Sequence, residues 1–374
     1  MKLLNPGPVC LSPRVREAML GPDLCHRSDA FAALQTRIRV GLLDVHGLDP
    51  SVWTAVLLTG SGTTAVEAML ASLLPADTRL LVVENGVYGE RMTAMARGHR
   101  VPVTTLTLPW GAIVEPAKLA AALDAAGDVT DVALVHHETT TGRLNDLEAL
   151  ATLCDQRGLR LHVDAVSSFG AEAIPPGPPA LTSVAGTANK CLHGVPGVAF
   201  VITRRAHLAT CPARARSVVL DLVTAGREQD RGGTAFTQSP PCLYALDAAL
   251  GEHRDAGGWA ARHDRYDRLG AIVRRGLAPL GLHPWLTDGI RSCVLTAYHL
   301  PPGLEIEPFQ RALAARGYLI YPGQAALRER LFRVATMGAL SETDLERFTA
   351  AVADVTHART NRRTNRRTNR RQTG

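Results

Sequence analysis

The sequence predicts an α/β protein, with a large domain built on a mostly parallel sheet covered by helices and a smaller C-terminal α+β domain. Two patterns indicate this. Between residues 54 and 202, short apolar runs typical of buried strands alternate with amphipathic stretches typical of helices, as in repeated βαβ units. From residue 243 onward, long helical patterns surround a few short strand signals. The 374 residues are enough for two domains with buried cores.

The elements of the large domain follow one another in a regular order. Residues 5–8 contain two prolines, which exclude helix and central strand and favour a fixed turn. A helix capped by Ser12 and a second helix at 31–43 come next. The predicted strands are 54–58, 80–83, 101–106, 132–136, 159–164 and 198–202, and the helices between them are 65–70, 89–96, 116–125 and 147–156.

The smaller domain is predicted to combine helices with a short sheet. Its helical patterns are 243–252, 259–277, 309–316 and 343–355, and its strand signals are 292–297, 318–321 and 331–334. These patterns divide the chain into an N-terminal segment at 1–15, a large domain at 16–242, a small domain at 243–358 and a tail at 359–374.

The positive charge of the chain lies in this tail. The formal net charge is +6, but seven arginines fall within residues 359–371, and the remaining 34 basic and 35 acidic residues nearly cancel. This distribution does not indicate nucleic-acid binding. The tail repeats one polar, basic four-residue unit three times without an apolar residue, so we expect it to be disordered.

Cysteine usage and hydropathy exclude several other classes of protein. The seven cysteines form no CxxC pair and are too scattered for a metal site or a disulfide framework, so we expect no metal and reduced, mostly buried thiols. Pro and Gly interrupt the first eight residues before a signal-peptide core forms, and no apolar run reaches membrane-spanning length. The cytoplasm is therefore the simplest compartment.

One of only three lysines in the chain, Lys190, has an unusual position. It lies between small residues and a stretch rich in Gly and Pro that leads into the strand at 198–202, which predicts a tight loop beside the sheet. A lysine amine shifts its pKa readily on burial and can form a Schiff base, whereas a guanidinium stays charged. A lysine that merely lies near a turn is the alternative interpretation.

Further reactive side chains follow the predicted strands, where ligands gather in parallel sheets. Tyr88 lies in a glycine-flanked loop, Thr139 lies in a Glu-Thr-Thr-Thr-Gly segment, and Asp164 ends an apolar strand. An unpaired carboxylate there costs several kcal/mol, so Asp164 requires a cationic partner, unless it caps a following helix.

The turn at 59–64 brings Gly, Ser and Thr to the start of a helix. Free amides, hydroxyl groups and the helix dipole converge there, which favours an anion, although a plain βα turn is the alternative. Together, the lysine, the aspartate, the anion-binding turn and the aromatic side chain are the groups that pyridoxal phosphate requires. The sequence therefore predicts a pyridoxal phosphate site.

These motifs resemble those of the class V aminotransferases, which are pyridoxal phosphate enzymes of fold type I with a seven-stranded type of sheet in the large domain. The resemblance covers residues 1–355. Its segments are 5–8, 60–62, 138–142, 163–170, 188–191, 194–197 and 332–333. Within the class, the chain is most similar to enzymes that move the amino group of 2-aminoethylphosphonate to pyruvate, and the resemblance implies that activity.

The resemblance also implies cofactor contacts. Lys190 would form the Schiff base, Asp164 would face the pyridine nitrogen, and Thr139 would lie near the phenolic oxygen. The remaining contacts would be stacking of Tyr88 on the ring, binding of the phosphate by Ser61, Gly62 and Thr63, and an approach of Thr237 to the phosphate in the partner subunit. The last contact would make a homodimer part of the active site.

Three further residues are implied at the substrate, namely Gly7, Arg27 and Arg333, of which Arg333 would bind an anionic end. Residues 25–28 depart from the pattern, because well-known members of the group have an acidic stretch where this chain has Cys-His-Arg-Ser. That basic stretch is similar to alanine:glyoxylate-type relatives and to a second branch of aminoethylphosphonate enzymes.

Three other functions remain as alternatives. Transamination between alanine or serine and glyoxylate uses the same fold. Lyase or desulfurase chemistry requires a mobile catalytic cysteine, but Cys293 precedes a β-rich run and is expected in the core. A scaffold without activity is disfavoured because Lys190 and Asp164 are both present.

Overall fold

The computed structural model describes residues 1–212, 217–287, 289–300 and 303–372, with side chains described as far as residue 357. The strands are β1 (Lys2–Leu3), β2 (Trp53–Gly60), β3 (Leu80–Glu84), β4 (Val103–Thr107), β5 (Asp131–Val135), β6 (His137–Glu138), β7 (Arg143–Leu144), β8 (Arg160–Asp164), β9 (Leu181–Thr187), β10 (Gly197–Arg204), β11 (Leu295–His299), β12 (Tyr318–Leu319), β13 (Tyr321–Pro322) and β14 (Leu331–Ala335).

The α-helices are α1 (Pro13–Ala18), α2 (Asp29–Asp44), α3 (Gly62–Ser72), α4 (Val87–Gly98), α5 (Pro116–Ala126), α6 (Leu147–Gln156), α7 (Arg205–Thr210), α8 (Leu222–Asp230), α9 (Pro240–Asp255), α10 (Gly258–Leu277), α11 (Ile306–Ala314) and α12 (Glu342–Gln372). Within the described part of the chain, none of these helices has both the length and the apolar character needed to cross a bilayer.

Seven strands form the central sheet, in the order β2-β10-β9-β8-β5-β3-β4. The pairs from β9 to β4 are parallel, and β10 runs antiparallel to both of its neighbours. The predicted α/β fold with a mostly parallel sheet is therefore confirmed. The sequence reasoning missed β9, whose run of Thr182, Ser183 and Gly186 lacks a strong apolar pattern.

Helices cover both faces of this sheet. Along β2, Ala55 and Leu57 belong to one hydrophobic cluster, whereas Val56 and Leu58 belong to another. Because side chains alternate between the faces of a strand, the two clusters lie on opposite sides of the sheet. The first cluster includes residues of α2, α5, α6 and α9, and the second includes residues of α3, α4 and α8.

The C-terminal elements form a three-stranded antiparallel sheet, β11-β14-β13, packed with α10, α11 and α12. Phe309, Phe332 and Phe348 lie in its core. The single strand predicted at 318–321 is wrong: β12 and β13 belong to different sheets, because β12 pairs with the N-terminal β1. The predicted domain boundaries stay predictions. The backbone of residues 359–372 continues α12 as a helix, whereas the polar, basic repeat leads us to expect disorder at 359–374, and that expectation stays a prediction.

Candidate active site

The side chains singled out in the sequence collect at one edge of the central sheet. Asp164 ends β8, and Lys190 follows β9, its neighbour in the sheet. Tyr88 lies in the first turn of α4, just after β3, and Thr139 follows β5 and β6. Parallel strands end at a common edge, which is the position where open α/β sheets bind ligands.

Lys190 is enclosed by the N-terminal turn. Its Nζ donates a hydrogen bond to the carbonyl oxygen of Pro6. Gly7, with φ of +109°, lies so close that a Cβ there would fall 2.6 Å from Cδ of Lys190. Desolvation lowers the pKa of Lys190 to about 8, although the charge of Asp164 acts in the opposite direction. The amine is thus more easily deprotonated than an exposed lysine, as nucleophilic and proton-transfer roles require.

Asp164 is 6% exposed. Burial raises the pKa of its carboxyl group to about 6, against the opposing effects of the Val166 amide, Arg91 and Lys190. Its Oδ1 accepts a hydrogen bond from Val166 N at 2.9 Å. The residues that follow form turns and not a helix, so the structure does not support the helix-cap alternative. A cationic ligand group would stabilise this buried carboxylate.

The predicted anion-binding turn leads into α3. Gly62 and Thr63 open the helix and line one cavity together with Tyr88 and Asp164. A Cβ on Gly62 would lie 2.5 Å from Cγ1 of Val166, so only glycine allows this close packing. The amides in the first turn of a helix have no partners within the helix, and its dipole attracts negative charge. Ser61 is the N-cap residue of α3, and its amide donates to Thr64 Oγ1 at 3.2 Å.

The ring of Tyr88 lies beside a cation that the sequence reasoning missed. The guanidinium carbon of Arg91 is 4.7 Å from the centre of this ring. Arg91 also lines the cavity shared with Asp164 and lowers the pKa of that carboxyl group. Tyr88 and Arg91 are three residues apart, and residues with this spacing lie on one face of a helix, so the sequence could have indicated this contact.

Arg333 is buried in β14, with 3% of its surface exposed. Its Nε donates to Pro322 O at 2.9 Å, and its Nη1 donates to Thr139 O at 2.8 Å. Among the residues that the structure describes, no carboxylate forms an ion pair with it. Desolvation lowers its pKa, whereas Tyr88, Glu138 and Tyr321 act in the opposite direction. A buried guanidinium that is bonded only to main-chain oxygens is ready to bind an anionic ligand.

Arg27 and Thr237 lie apart from this group. Arg27 is exposed in the turn before α2. Thr237 is exposed in the segment before α9, where its carbonyl oxygen is 3.5 Å from Thr59 Oγ1. The contacts described for this single chain do not connect either side chain with Lys190. Their implied roles stay predictions, and that of Thr237 depends on a second subunit.

A second group of titratable side chains, Glu172, His263 and Cys293, lies elsewhere, with potential ligand atoms within 4.8 Å of one another. Its hydrogen bonds are already satisfied. One carboxylate oxygen of Glu172 accepts from Ser292 Oγ at 2.5 Å and from Cys293 N at 2.8 Å, and the other lies 3.1 Å from His263 Nδ1. This arrangement is an ion pair between the loop after β8 and α10.

Comparisons with known proteins place this geometry in a family. A family model described as aminotransferase class-V matches residues 51–280. A 2-aminoethylphosphonate–pyruvate transaminase of Aeromonas hydrophila subsp. hydrophila is 38% identical over 362 residues, which are 94% of this chain and 94% of that protein.

Two solved structures have a similar fold over nearly their whole length. An aspartate aminotransferase of subgroup IV from Thermus thermophilus matches with a TM-score of 0.86 and 28% identity, over 96% of this chain and 99% of that one. An alanine–glyoxylate aminotransferase from Nostoc sp. matches with a TM-score of 0.87 and 27% identity, over 94% of both chains.

Proposed function

The chain belongs to the class-V aminotransferases and has their fold type I architecture, and from this premise we propose that it moves the amino group of 2-aminoethylphosphonate to pyruvate. The products are phosphonoacetaldehyde and L-alanine. The observation that carries the proposal is the buried Arg333, which is held by main-chain oxygens at the edge that also carries Lys190 and Asp164. Both amino donor and keto acid present an anion to such a group.

The residues at this edge fit pyridoxal phosphate. The buried carboxyl group of Asp164 has a raised pKa and is suited to a protonated pyridine nitrogen. The first turn of α3 offers amides to a phosphate, and the cavity between Gly62, Tyr88 and Asp164 connects the two positions. When bound, the cofactor withdraws electrons from the substrate Cα and so makes its proton acidic.

The side chains of this chain then have distinct tasks. Lys190 Nζ would act as the general acid–base group that takes the proton from the substrate carbon bearing the amino group and holds it for return. Its pKa of about 8 suits this role, since a general base works best with a pKa near the working pH. Arg333 binds the phosphonate of one substrate and the carboxylate of the other through paired hydrogen bonds. Gly7 leaves room for the lysine, since a Cβ would collide with it.

We also propose a homodimer with a shared active site and a cytoplasmic location. A partner surface near this site is supported by three exposed apolar side chains, Phe236 beside Thr237 and the pair Val218 and Val219. The cytoplasmic location is supported by the seven free cysteines, which suit a reducing compartment. In a mixed dimer, one chain carries Lys190→Ala and the other carries Thr237→Ala. If the sites are shared, one of the two sites combines the intact Lys190 of the second chain with the intact Thr237 of the first. We therefore expect the mixture to exceed the mean activity of the two parents, and an activity no higher than that mean would refute the shared site.

Transamination with glyoxylate is the second candidate, favoured by the basic Arg27 stretch and the likeness to the Nostoc enzyme. Desulfurase chemistry is disfavoured, because burial raises the pKa of the Cys293 thiol strongly and its Sγ faces Ala171 O at 3.9 Å.

A panel of amino donors and keto acids separates these functions. The purified protein, saturated with pyridoxal phosphate, is assayed with 2-aminoethylphosphonate, alanine, serine and cysteine as donors and with pyruvate and glyoxylate as acceptors. We expect the highest kcat/KM for 2-aminoethylphosphonate with pyruvate. A higher kcat/KM for alanine or serine with glyoxylate would replace this proposal with the second candidate.

A further inference from the structure

The start of helix α4, which carries Tyr88, has no local cap. The residue before the helix is Gly86, which has no side chain to accept hydrogen bonds from the first amides of the helix. Unsatisfied amides at a buried helix end are costly, so partners must come from elsewhere. Here they come from the end of β6 and the turn that follows it, about 50 residues further along the chain.

Glu138 and Thr140 supply those partners. Oε2 of Glu138 accepts from Tyr88 N at 3.1 Å and from Gly89 N at 3.4 Å, and Thr140 Oγ1 accepts from Val87 N at 3.1 Å. Oε1 of Glu138 accepts from Thr140 N at 3.0 Å and from Thr140 Oγ1 at 2.6 Å. The Glu138 carboxyl group is completely buried, and every one of these contacts is a hydrogen-bond donor.

Glycine at position 86 is needed for this arrangement. A Cβ on Gly86 would lie 2.3 Å from Cδ of Glu138, which no real contact allows. The close approach of the carboxyl group to the start of α4 therefore depends on the missing side chain. The positive end of the helix dipole faces the carboxylate and adds to its stabilisation.

The same segment also holds the substrate arginine. Between Glu138 and Thr140, the carbonyl oxygen of Thr139 accepts the 2.8 Å hydrogen bond from Arg333 Nη1. Thr140 Oγ1 lies 3.2 Å from Gln324 Oε1, in the loop after β13. Three consecutive residues thus connect the first turn of α4 on one side with Arg333 on the other.

We propose that Glu138 is a positioning residue for transamination, which fixes Tyr88 relative to Arg333 by capping α4 together with Thr140. The roles of Tyr88 at the cofactor and of Arg333 at the substrate rest on the proposed function, whereas the capping itself does not. Neither Glu138 nor Thr140 contacts the reacting atoms in this scheme. Their effect on the reaction passes through the two side chains that they hold.

Amide hydrogen exchange on the cofactor-free protein tests the cap directly. We expect Glu138→Gln and Thr140→Val to accelerate exchange at Val87, Tyr88 and Gly89 by about tenfold or more, since each change removes a hydrogen bond to a buried amide or carboxylate. Thr140→Ser keeps the hydroxyl group and should restore the parent rates. Glu84→Gln is the matched control, because Glu84 ends β3 and, in the described part of the chain, its carboxylate accepts a hydrogen bond from the exposed Thr107 and none from α4. Unchanged exchange in both variants, or equal acceleration along the whole chain, would overturn the cap.

Kinetics on the cofactor-saturated protein test the positioning role. In Glu138→Gln and Thr140→Val, kcat/KM should fall about tenfold or more for the amino donor and for the keto acid alike, and the visible circular dichroism of the bound cofactor should change with the orientation of Tyr88. Thr140→Ser and Glu84→Gln should match the parent in both measurements.

Faster exchange at α4 with parent-like kinetics and dichroism would leave Glu138 a structural cap only and refute the positioning role. A parent that does not use 2-aminoethylphosphonate would refute the proposed substrate alone, and the same comparison would then use the donor that the panel identifies.

Discussion

Replacing Arg333 with lysine should weaken both halves of the reaction. The guanidinium group is buried, and two of its nitrogens are committed to Pro322 O at 2.9 Å and Thr139 O at 2.8 Å. These two bonds fix the plane of the guanidinium group, and in the proposed function its remaining N–H groups bind the substrate anion. An ammonium group is a point charge and cannot hold both carbonyl oxygens while presenting a fork to a carboxylate or phosphonate.

The expected magnitude follows from this geometry. A hydrogen bond to a charged group contributes about 1.5–3 kcal/mol, and impairing a buried charge pair costs about 2–5 kcal/mol. Lysine retains the charge but loses the paired geometry, so a loss of roughly 2–4 kcal/mol is expected. This corresponds to a decrease of roughly 30- to 900-fold in kcat/KM.

Single-turnover absorbance measurements on the bound cofactor give kcat/KM for each half-reaction separately. Arg39→Lys is the matched control, because Arg39 is also largely buried and donates to a main-chain oxygen, Ala55 O, but lies near the amino end of β2. We expect the control to leave both half-reactions unchanged. If Arg333→Lys stays within about threefold of the parent for both substrates, the anions are bound elsewhere and the proposed substrate loses its main support.

Three further predictions test other parts of the structure. Lys190→Ala should remain folded by circular dichroism but lose more than about a thousandfold in multiple-turnover rate, because a positioned acid–base group contributes about 10²- to 10⁴-fold. Deletion of residues 359–374 should leave activity and melting temperature unchanged, since the repeat has no apolar side chain to bury; a loss of several degrees would show that the tail docks. The Glu172 side chain raises the pKa of His263 from 6.5 to about 9, so this pair should stabilise the fold fully below pH 6.5 and lose that contribution as the pH rises through 9. The decline in melting temperature over this range should be smaller in His263→Gln than in the exposed control His299→Gln.

In the central sheet, the sequence predicted every strand except β9, which lacks a strong apolar run. β5 and β10 are apolar throughout their centres, whereas β9 contains Thr182, Ser183 and Gly186 and is recognisable only from its neighbours in the sheet. The separation of β12 from β13 likewise depends on the pairing of β12 with β1, at the other end of the chain. The pattern of apolar residues indicates which segments are buried, but strands distant in sequence decide which sheet a given strand joins.

The candidate site likewise contains residues that the sequence identifies and one that only the tertiary structure reveals. Lys190 and Asp164 stand out in the sequence because their residue types are unusual for their positions. Glu138 does not stand out, because its role depends on four hydrogen-bond donors. Two of these donors are amides of residues about 50 positions away, and two belong to Thr140. A glutamate that follows a strand is commonly exposed. Only the tertiary structure shows that this one is buried against a helix start without a cap.

The proximity of Lys190 to Asp164 is a consequence of strand order and register. β8 and β9 are parallel neighbours, with Asp164 opposite Ala185, and Ala165 N donates to Ala185 O at 3.0 Å. The register of this pair shifts by one residue between Leu161 and His162, so that Thr182 is an extra residue in β9. A strand alternates its faces residue by residue, and a one-residue shift therefore changes which side chains of β9 face each cluster. The irregularity in β9 thus sets where this strand ends relative to Asp164. The loop that carries Lys190 starts from that end, so the register shift also sets the position of Lys190 at the carboxyl ends of the sheet.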